Sequence, residues 1–292
     1  MTTSLLARPT AVALTVAAFL WGGAALAQEK ITLKVAGVVG ATHYQTLNGG
    51  KVFMDKVTEL TNGRVQFEHF PSQQLGKANM LLSLAQTGVA DIGEQAAPYV
   101  SEKLPLSGMI EIPGLVPSSC KGTAAYHALV QPGGALYEND FKPQKVRVIM
   151  SFVYAPYKLL SAGKEVRTVD DFRGMKLRTT GGALDLATRE LGAVSVQMGS
   201  SEIYESLSRG TLDGVFFALL GAKPYELQKV VKSATVGFNF GTVAVAWVMS
   251  DAKYGQLPAD VKDAMAKAAV IAEKTFCTFA DANEVKEQDA LE

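Results

Sequence analysis

The stretch that decides the fold reads DFRGMKLRTTGG at residues 171–182 and ends in RGTLDG at residues 209–214. Apolar and charged residues alternate as far as Arg178, which predicts a strand. A helix over residues 183–191, a strand over residues 194–198 and a second helix are predicted to follow. The stretch therefore forms two consecutive βα units. In an open parallel sheet this places Arg178 near the carboxyl end of a strand, where ligands bind.

The earlier part of the chain shows the same alternation. Strands are predicted over residues 31–37, 65–70 and 89–93, and helices over residues 47–60 and 79–87. Strands that alternate with helices in this way are typical of an α/β protein with a mainly parallel sheet.

Later segments indicate how the chain passes between domains. Residues 110–117 contain two prolines and are predicted to form an extended linker. Strands are predicted over residues 145–153 and 158–161. Residues 236–250 are unusually apolar, and we expect a buried strand that passes between two domains. A long helix is predicted over residues 257–282, and no terminator follows it, which leaves a truncated chain open.

Composition and motifs exclude several classes of function. Lys+Arg and Asp+Glu number 28 each, so bulk charge does not favour nucleic acid or an anionic membrane as a partner. The three histidines, His43, His69 and His127, form no HExxH motif, and we find no GxSxG, phosphate-loop or clustered metal-ligand pattern. We therefore expect no enzyme and no cofactor, and we identify no metal ligands. Acid–base chemistry by scattered carboxylates and a metal that assists ligand binding both stay open.

The amino terminus has the pattern of a cleaved signal peptide over residues 1–27. Arg8 precedes an apolar run at residues 11–21, and Ala-Leu-Ala at residues 25–27 supplies the small residues of a cleavage site. A membrane anchor over residues 11–26 is the alternative, but this segment is short and interrupted by glycines. We expect a soluble, exported protein with no membrane anchor.

Two cysteines remain in the mature chain, Cys120 and Cys277. In an oxidising compartment they form either a disulfide or two buried free thiols, and the sequence does not decide between these states. Neither cysteine lies in a recognisable nucleophile motif, so a catalytic thiol is not expected.

Six short motifs occur in a fixed order along almost the whole mature chain. They are PSQQLG at 71–76, GVAD at 88–91, EIPG at 111–114, FRGMKLR at 172–178, EIYESLSRGTLDG at 202–214 and LP at 257–258. With these motifs the chain resembles the periplasmic solute-binding subunits of tripartite ATP-independent periplasmic (TRAP) transporters. Each motif alone is weak, but six in the right order are specific.

The resemblance implies an α/β fold of two domains, joined by crossing hinge strands and a long spanning helix. An organic acid would bind in the cleft between the domains. Domain I would comprise residues 28–152 and domain II residues 153–238, whereas residues 239–292 would form a return strand and a C-terminal helix on domain I and the hinge. The resemblance further implies a periplasmic receptor that delivers its ligand to TRAP membrane subunits. We expect it to be a monomer.

In the family that the chain resembles, the arginine of a Gly-x-Lys-x-Arg motif makes a two-pronged salt bridge to the substrate carboxylate. By position this arginine is Arg178, and a guanidinium fork matches a carboxylate in shape and charge. Some members have a second arginine on the preceding strand, where the nearest match here is Lys158. Sialic-acid-type members have an asparagine where this chain has Phe216 and Phe217, which argues against a heavily hydroxylated sugar acid.

The candidate ligand contacts are His43, Gln95, Tyr99, Tyr154, Lys158, Arg178, Phe216 and Phe217. The aromatic residues among them favour an apolar or aromatic monocarboxylate. Phe216 and Phe217 alternate across a strand, so at most one of them is expected to face the cleft. The rival hypotheses are a receptor for an ATP-driven importer and, less favoured, a secreted hydrolase or lyase.

Overall fold

The computed structural model describes residues 1–2 and 29–290. The predicted signal peptide, apart from its first two residues, and its cleavage site lie outside the described residues, as do residues 291–292 at the C-terminal end. Over the described part of the chain, no helix combines the length and the apolarity needed to cross a bilayer.

Strands and helices alternate along most of the chain. The strands are β1 Ile31–Ala36, β2 Val65–Phe70, β3 Ile92–Ala96, β4 Val146–Val153, β5 Lys158–Ser161, β6 Lys176–Thr179, β7 Val194–Gln197, β8 Gly214–Phe217, β9 Ser233–Thr235 and β10 Ala244–Ser250. The α-helices are α1 Lys51–Leu60, α2 Leu81–Thr87, α3 Ser119–Val130, α4 Gly182–Glu190, α5 Ile203–Ser208, α6 Asp251–Gln256 and α7 Ala259–Asp289.

The first sheet has the strand order β2-β1-β3-β10-β4. β1 pairs in parallel with β2 and β3, whereas β10 runs antiparallel to β3 and β4. A strand from the C-terminal part of the chain therefore lies inside the sheet that the N-terminal part begins. Its side chains are buried on both faces, because α1 and α7 cover one face and α2 and α3 the other.

The second sheet has the order β7-β6-β8-β5-β9. β6 pairs in parallel with β7 and β8, and α4 and α5 connect these strands, so the two consecutive βα units predicted from residues 171–214 are confirmed. β5 runs antiparallel to β8 and β9.

Two chain segments and one helix connect the sheets. The chain leaves the first sheet between β4 and β5 and returns between β9 and β10. α7 packs on α1, α3 and β4 and reaches the turn Leu219–Gly221 beyond β8. The predicted fold class, an α/β fold of two domains with crossing segments and a long spanning helix, is confirmed. The exact boundaries, 28–152, 153–238 and 239–292, stay a proposal.

The two cysteines form a disulfide. Cys120 lies in α3 and Cys277 in α7, with their Cα atoms 4.7 Å apart. Of the two states that the sequence left open, the structure therefore has the disulfide. This bond fastens the long helix to the first domain.

Two predicted segments differ from the structure. Residues 110–117 were expected to be an extended linker, but Ser107–Glu111 forms a short 3-10 helix whose last residue is fully buried. Residues 236–250 were expected to form one buried strand, but only Ala244–Ser250 does so, and Phe238 is 52% exposed. In both segments backbone contacts with distant residues replace regular pairing, since Gly114 N–H donates to the carbonyl of Asn239.

Candidate functional site

A cavity of about 40 Å³ lies between the two sheets. The first domain lines it with the loop after β1 and with β3, the second domain with residues that follow β6, β7 and β8, and the crossing segments supply the remaining wall. The lining includes the side chains of His43, Tyr44, Gln45, Glu94, Tyr99, Tyr154, Tyr157, Ser200, Phe217 and Tyr225. The cavity is thus at the carboxyl ends of strands from both sheets, where a ligand crevice is expected.

Arg178, on β6, is 0% exposed and lies directly behind this cavity wall. Its Nε donates to the carbonyl oxygen of Met198 at 3.0 Å, which fixes the orientation of the guanidinium. Its Nη2 is 3.4 Å from both Tyr99 Oη and Ser200 Oγ, two atoms of residues that line the cavity. The terminal Nη2 group therefore lies next to two residues of the cavity wall.

The charge of Arg178 has no carboxylate partner among the described residues. No salt bridge to it occurs there, and its Nη1 is buried without a hydrogen-bond partner. A buried charge without a partner destabilises the folded protein by several kcal/mol. The arrangement therefore favours an anion at the terminal amino groups.

Aromatic side chains form most of the cavity wall. Phe217 stacks on Tyr157, with ring centroids 6.0 Å apart, and meets Tyr225 edge-on at 5.6 Å. The guanidinium of Arg178 lies 5.9 Å from the centroid of the Phe217 ring, within the range of a cation–π contact. Tyr154 donates a hydrogen bond from Oη to Gln45 Oε1. The space beside the arginine is thus flat-sided and largely apolar.

His43 is buried against the same cavity as a neutral imidazole. Its Nδ1 accepts a hydrogen bond from the backbone N–H of Gln45 at 3.2 Å. Burial lowers the pKa of His43 to about 4, because the charged ring would lose its hydration. At neutral pH the residue can accept or donate a hydrogen bond but adds no positive charge.

Of the predicted site residues, five lie together. His43, Tyr99, Tyr154 and Phe217 line the cavity, and Arg178 lies behind it. Their contact with a ligand stays a prediction.

Three predicted site residues lie elsewhere, which corrects their assignment. Phe216 points to the other face of β8, where it packs against Phe240 with centroids 5.0 Å apart. The ammonium of Lys158 is partly exposed and donates to the carbonyl of Phe238. Gln95 accepts a hydrogen bond from the backbone N–H of Leu82 at the start of α2, on the side of β3 away from the cavity.

Glu94 takes the place that was predicted for Gln95. It is 3% exposed and lines the cavity from β3. Burial raises its pKa to about 7, against the opposing effect of hydrogen bonds from the Gln45 side chain and the Val38 backbone. At neutral pH the group is therefore partly protonated.

Glu111 joins the two domains beside the site. Its Oε2 accepts hydrogen bonds from the backbone N–H groups of Ala183 at 2.9 Å and Leu184 at 3.4 Å, at the amino end of α4. Burial raises the pKa of Glu111 to about 8, while these hydrogen bonds, one from Thr180 and the charge of Arg178 lower it. A Cβ at position 182 would collide with this carboxyl, so Gly182 permits the contact.

A second carboxyl makes the equivalent contact from α7. Glu284 accepts hydrogen bonds from the backbone N–H groups of Leu219 at 3.0 Å and Leu220 at 3.1 Å, just beyond β8. Burial raises its pKa to about 7. Both carboxyls thus fasten the second domain, one to the first domain and one to the spanning helix, out of contact with solvent.

A family model described as bacterial extracellular solute-binding protein, family 7, matches residues 35–292. The chain belongs to this family. The match confirms the identification drawn from the six motifs, that of a solute-binding subunit of a TRAP transporter.

Two relatives of this solute-binding protein show how far the similarity extends. A solute-binding protein of Albidiferax ferrireducens is 26% identical over 213 residues, or 72% of this chain, and the match spans 62% of that protein's length. The C4-dicarboxylate-binding periplasmic protein of Rhodobacter capsulatus is 30% identical over 243 residues, which cover 82% of this chain and 71% of that protein.

Among solved structures, a TRAP solute-binding protein from a marine metagenome superposes with a TM-score of 0.81. That protein is specific for aromatic acid ligands and was solved in complex with metahydroxyphenylacetate. It is 23% identical to this chain, and the match covers 90% of this chain and 82% of the other. At this identity the comparison shows the shared fold alone.

Neither acidic residue of the site in this solute-binding protein was predicted from its sequence, nor were the lining residues Tyr44, Gln45, Ser200 and Tyr225. Glu94 precedes the predicted Gln95 by one position, and a shift of one residue moves a strand side chain to the other face. The only signal for it was an acidic residue inside a short buried strand. Glu111 belongs to the EIPG motif, but its partners in α4 lie 72 and 73 residues further along the chain.

Proposed function

We propose that this protein is a periplasmic receptor for a small organic monocarboxylate with an apolar or aromatic body. The ligand carboxylate would pair with Arg178, and the ligand body would lie against Phe217 and the neighbouring tyrosines. The observation that carries the proposal is a buried guanidinium that has no carboxylate partner among the described residues and whose Nη1 is free of hydrogen bonds.

The chemistry of the wall supports the ligand class. A carboxylate at the terminal amino groups of Arg178 gains charge-assisted hydrogen bonds, which contribute about 1.5–3 kcal/mol each. The ring of Phe217 beside it offers apolar surface and excludes water from the ion pair. The apolar surface of the aromatic rings favours a ligand body with few hydroxyl groups.

The comparisons favour an organic acid and leave its class open. One structurally similar protein is specific for aromatic acids, whereas the Rhodobacter capsulatus relative is named for C4-dicarboxylates. The preference for an aromatic or apolar monocarboxylate therefore depends on the cavity wall of this chain.

The proposal includes the cellular role. The family consists of extracellular solute-binding proteins, and the predicted signal peptide of residues 1–27 fits export to the periplasm. The closed, liganded form would dock on the membrane subunits of a TRAP transporter and release an unchanged ligand. A hydrolase or lyase would instead convert it, so recovery of altered ligand after incubation would overturn the receptor assignment.

Titration calorimetry on the parent and on Arg178→Ala tests the proposal. The panel contains aromatic and aliphatic monocarboxylates, 2-oxo acids, C4-dicarboxylates and uronates. We expect the tightest binding by an aromatic or apolar monocarboxylate and a loss of more than about tenfold in affinity for Arg178→Ala, since one charge-assisted hydrogen bond is worth that much.

Arg173→Ala is the matched control, because Arg173 lies in the same motif but is exposed and pairs with Asp170. It should bind like the parent. Equal affinity of Arg178→Ala and the parent for the best ligand would show that the arginine does not hold the carboxylate. Tightest binding by a uronate or a dicarboxylate would overturn the proposed ligand class.

A further inference from the structure

A second charged side chain besides Arg178, that of Glu94, lies at the cavity. Arg178 belongs to β6 in the second sheet and Glu94 to β3 in the first, so the two groups approach the cavity from opposite walls. No salt bridge joins them in the described part of the chain. A ligand whose carboxylate pairs with the arginine therefore extends toward the carboxyl of Glu94.

Tyr225 lies in the field of both groups, which supports this placement. Burial is the main reason that the pKa of Tyr225 is raised, but the charge of Arg178 lowers this pKa and the charge of Glu94 raises it. Tyr225 also lines the cavity and contacts Phe217. Tyr225 and Phe217 thus line the same cavity as Glu94, next to Arg178.

Glu94 retains hydrogen-bonding capacity toward the cavity. Its partners on the protein are the Gln45 side chain and the Val38 backbone N–H. A carboxyl group offers about four lone-pair sites, so acceptor positions remain. A buried carboxyl with unfilled acceptor positions is unfavourable, whereas a hydroxyl group of the ligand fills one of them.

We infer that Glu94 determines specificity at the end of the ligand remote from its carboxylate. It accepts a hydrogen bond from a hydroxyl group there and rejects a second carboxylate. This inference rests on the proposed function, because it needs the ligand carboxylate to be at Arg178. The ligand class becomes a monocarboxylate, aromatic in its body, with a hydroxyl group at the far end.

Phenylacetate, its three ring-hydroxylated isomers and the carboxyphenylacetates provide matched probes, which differ only in the group that meets Glu94. Calorimetry on the wild type should show one hydroxylated isomer binding about tenfold or more tighter than phenylacetate, the effect of one well-placed hydrogen bond to a charged group. At about pH 8.5, where a Glu94 carboxyl of pKa about 7 is ionised, the carboxyphenylacetates should bind at least about tenfold more weakly than phenylacetate, because two buried carboxylates repel each other.

Two variants separate the two effects. Glu94→Gln keeps an acceptor oxygen but no charge, so it should retain much of the preference for the hydroxyl group and lose the rejection of the carboxyphenylacetates. Glu94→Leu has neither, so it should bind phenylacetate and its hydroxylated isomers alike. Glu68→Gln removes an exposed carboxylate of β2 and serves as the control. Thermal melting will establish whether each variant is folded. If Glu94→Leu does not fold, Glu94→Gln still tests the inference.

The outcomes distinguish this inference from the function on which it rests. A wild type that binds none of these acids overturns the proposed ligand class and the role of Glu94 together. A wild type that binds phenylacetate as tightly as every hydroxylated isomer, in an Arg178-dependent manner, overturns the role of Glu94 alone. The same holds if Glu94→Gln still rejects the carboxyphenylacetates as strongly as the wild type.

Discussion

Replacing Glu111 by alanine should weaken ligand binding although Glu111 does not line the cavity. This residue ends a short helix of the first domain, and its carboxyl accepts hydrogen bonds from the backbone of Ala183 and Leu184 in the second. We expect these contacts to break when the domains open. The proposed function couples ligand binding to closure, and any loss of closed-state stability would then appear as a loss of affinity.

The magnitude follows from the helix end that Glu111 caps. An acceptor at the amino end of a helix contributes about 1 kcal/mol, within a range of about 0.5–2. Burial raises the pKa of Glu111 to about 8, which shows that desolvation offsets part of this gain. We therefore expect Glu111→Ala to destabilise the closed state by about 1–2 kcal/mol, which lowers the affinity for the ligand by a factor of about 5–30.

Calorimetry with the tightest-binding acid measures this effect, and melting temperatures with and without ligand locate it. The melting temperature of liganded Glu111→Ala should fall further than that of the free protein, because the free protein can open and hydrate the carboxyl. Glu111→Gln keeps one acceptor oxygen and should lie between the parent and alanine. Glu102→Ala, which removes an exposed carboxylate from a nearby loop, should change neither quantity.

Two results would refute the reasoning. If Glu111→Ala bound the ligand within about twofold of the parent, the contact would not contribute to closure, since a twofold change is within a fraction of a kcal/mol. If the free and liganded melting temperatures fell equally, the residue would stabilise the fold in both states and would have no specific role in closure.

Three further predictions concern stability and the cavity wall. Reduction of the Cys120–Cys277 disulfide should cost about 2–5 kcal/mol of unfolding free energy, because it closes a long loop, as measured by denaturant unfolding. Phe216→Ala should cost about 3–5 kcal/mol of stability, whereas Phe217→Ala should chiefly lower ligand affinity in calorimetry. Burial raises the pKa of Glu94 from 4.5 to about 7. Protonated Glu94 therefore contributes its full stabilisation of the fold below about pH 4.5, and this contribution is lost as the pH rises through 7. In Glu94→Gln the melting temperature should therefore fall less between about pH 5 and 8 than in the parent.

Each of these predictions has a result that contradicts it. Unchanged stability after reduction would mean that the two helices are held without the disulfide. Equal effects of the two phenylalanine variants on affinity would place both rings at the ligand. A pH profile of melting that is the same with and without the Glu94 carboxyl would mean that its pKa is not raised.

The sequence predicted those features that depend on neighbours along the chain. The alternation up to Arg178 and the helix that follows are local patterns, and the βα units they predicted are present. The sequence-based prediction was wrong for residues 110–117, where it depended on two prolines, and for residues 236–250, where it depended on a run of apolar residues. In both segments the contacts with distant residues were not known. The backbone of Gly114 there bonds to that of Asn239, and no local pattern encodes such a pair.

The site divides in the same way. The sequence alone determined the family, the α/β class and the position of Arg178 at a strand end, because periodicity and short motifs are properties of consecutive residues. The tertiary structure decided that Glu94 rather than Gln95 faces the cavity, and that Phe217 rather than Phe216 does. It also brought Glu111 to the end of a helix 72 residues away. Which side chains face the cavity depends on how the two sheets pack against each other. The residues that make this contact are far apart in the sequence, and no repeating pattern of neighbouring residues predicts it.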